Sequence, residues 1–219
     1  MTARITAVAV LLALAAVTPA TAGEPDRTAP SYDVLLRGSD RGMRWHGRET
    51  ITFANPGTAA LDRIWVRLWG NGPFGCTRFQ SVRIDPIAGA TVGESEDCSA
   101  VPLMLTEPVR PGARGSVTFA VDIEPPNGAG RFSRDRHRLA LVSNGIPVLA
   151  HLEGGLWRLD EYFPYGEAWT YPPADWKVRL DAPRGVAVAA PGIRQPGGVR
   201  RLLRGRDFSF AVGELRSLR

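Results

Sequence analysis

The sequence predicts an all-β domain, a saddle-like or sandwich arrangement of antiparallel strands. Helical periodicity is almost absent beyond the first residues, whereas short runs with strand-like alternation recur along the chain. Turn residues such as Asn55-Pro56-Gly57 and Pro111-Gly112 separate these runs. Roughly ten strands with no helices between them are typical of a β-sandwich or a related sheet fold.

Each strand is predicted from its own pattern of alternating apolar and polar residues. In 61–71, alternation places Ile64, Val66 and Leu68 on one face and Trp65, Arg67 and Trp69 on the other. The segment 127–138 is predicted to be a polar loop. The other strand segments are predicted at 31–38, 44–57, 78–86, 101–109, 115–126, 139–153, 174–192 and 198–215.

The first residues indicate secretion. Arg4 precedes an apolar run from Ile5 to Val17, and Ala20-Thr21-Ala22 follows as an A-x-A cleavage site. The run is shorter than the roughly 20 residues that a membrane-spanning helix needs. We therefore expect a signal peptide over 1–22, a flexible linker over 23–30 and one domain over 31–219. The mature protein is expected to be extracellular and to have no membrane contact.

The secretory context predicts a disulfide. Cys76 and Cys98 are the only cysteines of the chain, and in an oxidising compartment such a pair is usually bridged. Closing the loop between them would stabilise the fold by about 3 kcal/mol in the chain-entropy model.

The charge pattern argues against nucleic acid as a partner. The chain has 27 basic and 22 acidic residues, a formal net charge of +5. The densest basic cluster, at 199–206, alternates with apolar residues as in a strand with one polar face. It has no interleaved aromatic residues on which bases could stack.

His151 and Glu153 invite comparison with a zinc-peptidase motif. The H-E-x-x-H motif needs two histidines four residues apart on one helix face, with the glutamate beside the first. Here Gly155 stands where the second histidine would be, and glycine disfavours a helix by about 1 kcal/mol relative to alanine. His46 and His137 have no cysteine or histidine at ligand spacing. We expect no metal, no cofactor and no catalytic residue in this chain.

The aromatic stretch at 157–176 is the strongest candidate for a functional surface. Two interpretations are open: it belongs to the core, or it is a docking surface in which Tyr and Trp are anchors. The carboxylates at 153–167 could form an acid–base pair, although charged loop residues are more often simply solvated. The residues predicted to face a substrate or partner are Glu153, Trp157, Tyr162, Phe163, Tyr165, Glu167 and Trp169.

This stretch also resembles a known family. "NGIPVLAHLEGGLWRLDEYFPYGEAW" is similar to the W-x-P segment and the F-P-x-x-D signature of the M1 family of zinc metallopeptidases, the aminopeptidase N-like gluzincins. Phe163, Pro164 and Glu167 occupy the matching positions of the signature. "YDVLLRG" with "MRWHGRETITFANPG" resembles the opening of that family's N-terminal β domain, in its secreted actinobacterial form. "ADWKVRLDAPRGVAVAAPG" is similar to its following pair of strands.

The resemblance implies a non-catalytic N-terminal β domain of a secreted aminopeptidase. The family's G-x-M-E-N and H-E-x-x-H motifs do not occur in this sequence, so zinc would belong to a catalytic domain that acts as a partner in trans. In the family, the N-terminal domain lends a carboxylate or amide near the amino group of the substrate, and Glu153 is the nearest candidate. The alternative is a secreted β-sandwich module that binds a peptide, a sugar or a protein.

Overall fold

The computed structural model describes residues 28–74, 80–95, 97–136, 139–162 and 171–215. Within these residues the chain forms β-strands and three short 3-10 turns, with no α-helix. The predicted all-β fold is therefore confirmed. The strands are β1 Ser31–Ser39, β2 Arg44–Ala54, β3 Leu61–Arg67, β4 Val82–Ala88, β5 Ala90–Val92, β6 Ala100–Val109, β7 Arg114–Ile123, β8 Phe132–Asp135, β9 Leu139–Val142, β10 Val148–Leu149, β11 His151–Glu153, β12 Leu156–Arg158, β13 Ala174–Asp181, β14 Ala187–Ala189, β15 Ile193–Arg194, β16 Val199–Gly205 and β17 Phe210–Gly213.

Three sheets and a separate hairpin organise these strands. The largest sheet has seven strands in the order β15-β16-β13-β1-β2-β7-β4. Two four-stranded sheets have the orders β10-β3-β6-β5 and β14-β17-β9-β8, and β11 pairs only with β12. The predicted antiparallel pairing is confirmed throughout these strands with one exception. β13 runs parallel to β1, along the edge that β2 leaves open, and this places Trp176 opposite Tyr32.

One hydrophobic core joins the three sheets, because buried side chains from all of them belong to a single cluster. Trp45 on β2 lies edge-on to Phe210 on β17, with ring centroids 5.1 Å apart. Tyr32 stacks on Trp176 with centroids 4.1 Å apart. Burying a large apolar side chain contributes about 1.5–3 kcal/mol. The Trp45–Phe210 contact therefore helps to hold the seven-stranded sheet against the sheet of β17, whereas the Tyr32–Trp176 stack joins β1 to β13 within it.

The turn predicted at the end of β2 is confirmed in atomic detail. The side-chain oxygen of Asn55 accepts the backbone N–H of Gly57 at 2.9 Å, which is the geometry of an Asx-turn. The Asn55 amide also donates to the carbonyls of Ala59 and Val109, each at 2.8 Å. This buried asparagine therefore connects the turn to the end of β6.

Two predicted segments differ from the structure. The predicted loop 127–138 contains β8, because Phe132 is buried there and the strand pairs with β9. The predicted strand 139–153 is divided into β9, β10 and β11. Asn144 interrupts it with a left-handed φ of 55°, a conformation that asparagine tolerates better than most residues.

Alternation in 61–71 separates the two faces of β3 but does not predict their burial. Ile64 and Val66 are buried, and so is Arg67 on the opposite face. Trp69 is buried too, but it lies in the 3-10 turn Trp69–Phe74 that follows β3. The end of β3 is covered on both sides, because β10 pairs with it and the chain that follows the hairpin returns to it.

Candidate functional site

The stretch "HLEGG" forms one side and the turn of a β-hairpin. His151–Glu153 pairs with Leu156–Arg158, and Glu153 lies opposite Leu156. Gly154 and Gly155 form the two-residue turn with φ values of 59° and 82°. Tight two-residue hairpins favour positive φ at both central positions, which glycine adopts without steric cost. The two glycines that disfavour a zinc-peptidase helix are thus the residues that this hairpin requires.

Glu153 is engaged within the hairpin. Its Oε2 accepts from Arg158 Nε at 2.7 Å and lies 2.6 Å from Arg158 Nη2. This hydrogen bond and the charge of Arg158 lower the pKa of the Glu153 carboxyl. An exposed carboxylate that is ionised and already paired is poorly suited to donate a proton in acid–base catalysis.

The apolar side chains of the hairpin divide into an exposed tip and a buried base. Leu156 follows the turn and is 74% exposed. Trp157 is half-buried and packs against the core, and Tyr162 does the same just beyond the hairpin. Tyr162 fits closely over Gly72, where a Cβ would lie 2.6 Å from the Tyr162 Cβ.

The aromatic stretch is therefore not uniform. Tyr171 and Trp176 are buried core residues, and the Tyr171 hydroxyl donates to Asn144 Oδ1 at 2.6 Å. For this end of the stretch the core interpretation is confirmed. Four of the seven residues predicted to face a substrate or partner lie outside the described residues: Phe163, Tyr165, Glu167 and Trp169.

A buried arginine, which the sequence did not single out, lies at the base of the hairpin. Arg67 is fully buried at the end of β3, and its guanidinium carbon lies 3.8 Å from the centre of the Trp69 ring. Its Nη2 donates to the Asp160 carbonyl at 2.8 Å and to Ser99 Oγ at 3.3 Å. Ser99 Oγ in turn donates to Asp97 Oδ2 at 2.9 Å. We call Arg67, Trp69, Asp97, Ser99 and Asp160 the arginine cluster.

Two effects within the arginine cluster shift the pKa of Arg67 in opposite directions. Burial lowers the pKa of Arg67, and the nearby charges of Asp97 and Asp160 raise it. A guanidinium stays protonated in proteins, so the cluster holds a buried cation. The contact with the Asp160 carbonyl fixes the chain where it leaves β12. An isolated arginine between two tryptophans, as in "WVRLW", is the sequence signal that could have indicated a cation–π pair.

Two of the three histidines lie on strands of the described part of the chain. His46 is exposed on β2, His151 is half-buried on β11, and His137 lies outside the described residues. Across the described ranges no group of three or more His, Cys, Asp or Glu side chains is placed to hold a metal ion.

Several predictions concern residues outside the described ranges. These include the signal peptide at 1–22 and Cys76. Cys98 has no free thiol, and its carbonyl accepts from the Asn71 amide at 3.0 Å. Its pairing with Cys76 stays a prediction. In the part of the chain that the structure describes, no helix has the length and apolar character needed to span a membrane.

No protein-family model and no curated protein matches this sequence. The M1 zinc metallopeptidase from Deinococcus radiodurans is similar in structure, at 20% identity and a TM-score of 0.45, over 84% of this chain and 41% of that one. A mutant of that enzyme bound to a Tyr-Ser-Ala substrate is similar at 21% identity and a TM-score of 0.45, over 84% and 42% of the two chains. A two-domain M1 zinc metallopeptidase mutant bound to L-tryptophan is similar at 19% identity and a TM-score of 0.46, over 84% and 43%. This chain spans less than half the length of these metallopeptidases.

Proposed function

We propose that this chain is a non-catalytic β domain of a secreted M1-like zinc aminopeptidase. In this proposal, its β11–β12 hairpin docks onto a zinc-bearing catalytic domain. The observation that carries the docking role is the 74% exposure of Leu156 on a hairpin whose base is anchored in the core. The choice of an M1-type catalytic domain as the partner rests on the M1-like sequence patterns around this hairpin.

The hairpin has the properties of a docking element. Leu156 offers an apolar contact, and the ion pair of Glu153 with Arg158 lies beside it as a polar rim. Trp157 and the contact of Arg67 with the Asp160 carbonyl fix the base of the hairpin. A fixed element loses little conformational entropy when it binds, which favours affinity.

The test combines the full chain with the zinc-loaded catalytic domain of an M1 metallopeptidase that is produced without its own N-terminal domain. We expect the two proteins to bind in a titration calorimeter. We expect this chain alone to hydrolyse no leucine p-nitroanilide, with or without added zinc. Hydrolysis by this chain alone would contradict the non-catalytic role, and the absence of binding would contradict the docking role.

A pair of leucine variants locates the contact. Leu156→Asp should weaken binding by at least about tenfold, because burial of a leucine contributes roughly 1.5–3 kcal/mol and 1.4 kcal/mol is a factor of ten. Leu203 on β16 is 69% exposed and provides a matched control. Leu203→Asp should leave the affinity within about a factor of two. Equal losses for the two variants would show that binding does not use the hairpin.

A second candidate function is a stand-alone module that binds a peptide. It is favoured by an open cleft of about 910 Å³ beside the turn from β6 to β7, lined in part by Gly89 and Glu107. A peptide that binds in this cleft should lose affinity in Glu107→Gln and keep it in Leu156→Asp. The reverse pattern, measured with the catalytic domain, supports the docking function.

A further inference from the structure

A notch bordered by two arginines lies on the outer face of the seven-stranded sheet, between β1 and β2. It has a volume of about 340 Å³ and is lined by Leu35, Arg37, His46, Gly47 and Arg48. Gly47 is required there because a Cβ would lie 1.8 Å from the Leu35 carbonyl oxygen. The strands approach closely at this point, and no side chain of residue 47 occupies the notch.

The strand register gathers basic side chains around Leu35. Arg48 lies opposite Leu35 on one side, and Arg179 on β13 lies opposite it on the other. Two residues along β1, Arg37 lies opposite His46. Arg48 and Arg179 therefore lie on the two sides of one leucine, so an anion placed over Leu35 could pair with both guanidinium groups.

The acidic residues nearby neutralise only part of this charge. Asp181 accepts from Arg179 Nε at 2.8 Å and lies 4.0 Å from Arg37 Nε, so two cations share one carboxylate. The side chain of Arg48 has no hydrogen bond or ion pair with any described residue. Asp122 lies one strand further out, on β7, where it faces the histidine of the notch. Three arginines with Asp181 and Asp122 leave a local charge of about +1.

We infer that this notch is a binding site for a phosphate monoester. Guanidinium groups bind phosphate oxygens in a bidentate manner and are more weakly hydrated than an ammonium group. A tetrahedral dianion offers oxygens in several directions, so it can pair with arginines on both sides of Leu35. The Leu35 side chain, in the floor of the notch, then contacts the organic part of the ester. This site is separate from the hairpin, and it does not depend on the docking function proposed above.

The binding test uses the full chain and phenyl phosphate. Nitrogen-15 NMR of the arginine side chains follows each Nε–H signal, and we expect saturable shifts for Arg37 and Arg48 together with the backbone amide of Gly47. Inorganic phosphate should shift the same signals with lower affinity, because it lacks the apolar group. Sodium chloride at equal ionic strength should not shift them. Shifts that do not saturate, or that chloride reproduces, would show simple charge screening and overturn the proposal.

Charge-matched variants complete the test. Arg48→Gln should lower the affinity for phenyl phosphate at least about fivefold, as expected for the loss of one charge-assisted pair. Arg110→Gln, in the exposed turn between β6 and β7, removes the same charge and should change the affinity less than about twofold. Arg37→Gln provides a second variant within the notch. An equal response of Arg48→Gln and Arg110→Gln would overturn the site, because only net charge would then matter.

Discussion

Glu49 and Arg67 are charged side chains that are fully buried within the described residues, and their surroundings differ. Glu49 on β2 is fully buried, lies opposite Val34 and Phe119 in the seven-stranded sheet, and has no hydrogen-bond partner for either carboxyl oxygen among the described residues. Arg67 at the end of β3 is just as buried, and its Nε and Nη1 have no hydrogen-bond partner among the described residues. Its Nη2, however, donates to a serine and a carbonyl, and the guanidinium is stacked on a tryptophan. Two side chains that are equally buried are therefore accommodated in different ways in one domain.

The difference follows from what each group can do with its proton. Removing an isolated charge from water costs several kcal/mol. A carboxyl can avoid this cost by staying protonated, and burial indeed raises the pKa of Glu49 well above its ordinary value. A guanidinium cannot become neutral in a protein, so Arg67 needs polar partners. Glu49 is tolerated in the core, whereas Arg67 connects parts of the fold.

The largest effect is expected from Arg67→Ala. The substitution leaves a cavity at the base of the hairpin and removes the donor to Ser99 and to the Asp160 carbonyl. We expect the free energy of unfolding to fall by about 3 kcal/mol, measured by urea denaturation.

Arg63→Ala is the control for this substitution. Arg63 lies on the same strand, is half-exposed and pairs with the adjacent Asp62 at 3.3 Å. It should change the unfolding free energy by less than about 0.5 kcal/mol. Similar losses for the two variants would contradict the role assigned to the arginine cluster.

The second prediction concerns pH and Glu49. Because the folded state raises the pKa of Glu49 above the ordinary value of 4.5, the unfolded chain releases this proton first as pH rises. The stability from this group is complete at acidic pH, and it falls above about pH 4.5 by up to about 1.4 kcal/mol per pH unit. Glu49→Gln cannot ionise and should lose this slope in urea denaturation series at several pH values.

Asp207 does not affect the comparison between the wild type and Glu49→Gln. Burial raises its pKa too, but Asp207 is present in both proteins, so the difference in slope reports Glu49 alone. Parallel pH profiles of the wild type and Glu49→Gln would show that Glu49 is ionised in the fold.

A smaller effect is expected from Ser99→Ala. This change removes the hydroxyl between Arg67 and Asp97 but keeps the cation–π contact and the donation to Asp160. We expect a loss of about 1–2 kcal/mol, because the change removes two hydrogen bonds, one from Arg67 and one to Asp97. A double-mutant cycle with Asp97→Asn should show strong coupling, and additive effects would contradict the link through Ser99.

The smallest effect is expected from Glu153→Gln. It removes an ion pair that is exposed on both sides, and water screens such pairs strongly. The thermal midpoint should not change measurably, at low or at high salt. A clear drop at low salt would show that the hairpin depends on this pair and would weaken the contrast between exposed and buried charges.

The strands of the fold were largely predictable because their signals are local. Alternation identifies the inward residues of β7, and the Asn55 turn follows from the hydrogen bonds that an asparagine makes with its own neighbours. β8 and the division of 139–153 were not predictable in this way. β8 depends on its pairing with β9. The division depends on Asn144, whose backbone N–H donates to Asp207, 63 residues away.

The candidate site was predictable only in part. The M1-like patterns led to the hairpin and to two of its residues. Glu153 forms an ion pair with Arg158 there, and Trp157 is half-buried where the hairpin meets the core. The burial of Arg67 was not predicted, because alternation gives the two faces of one strand and not what covers each face. The partners of Arg67 come from segments 32 and 93 residues away, and no local pattern contains that information.

The parallel contact of β1 with β13 sets the order in which the chain can complete its fold during synthesis. Lys177 on β13 pairs with Asp33 on β1 across 144 residues. β1, β2, β4 and β7 are made early and can assemble among themselves, but the free edge of β1 waits for residues 174–181. Contacts between such distant segments form slowly, and an open strand edge can pair with another chain. β1, the first of the described strands, is thus among the last to have both of its edges paired.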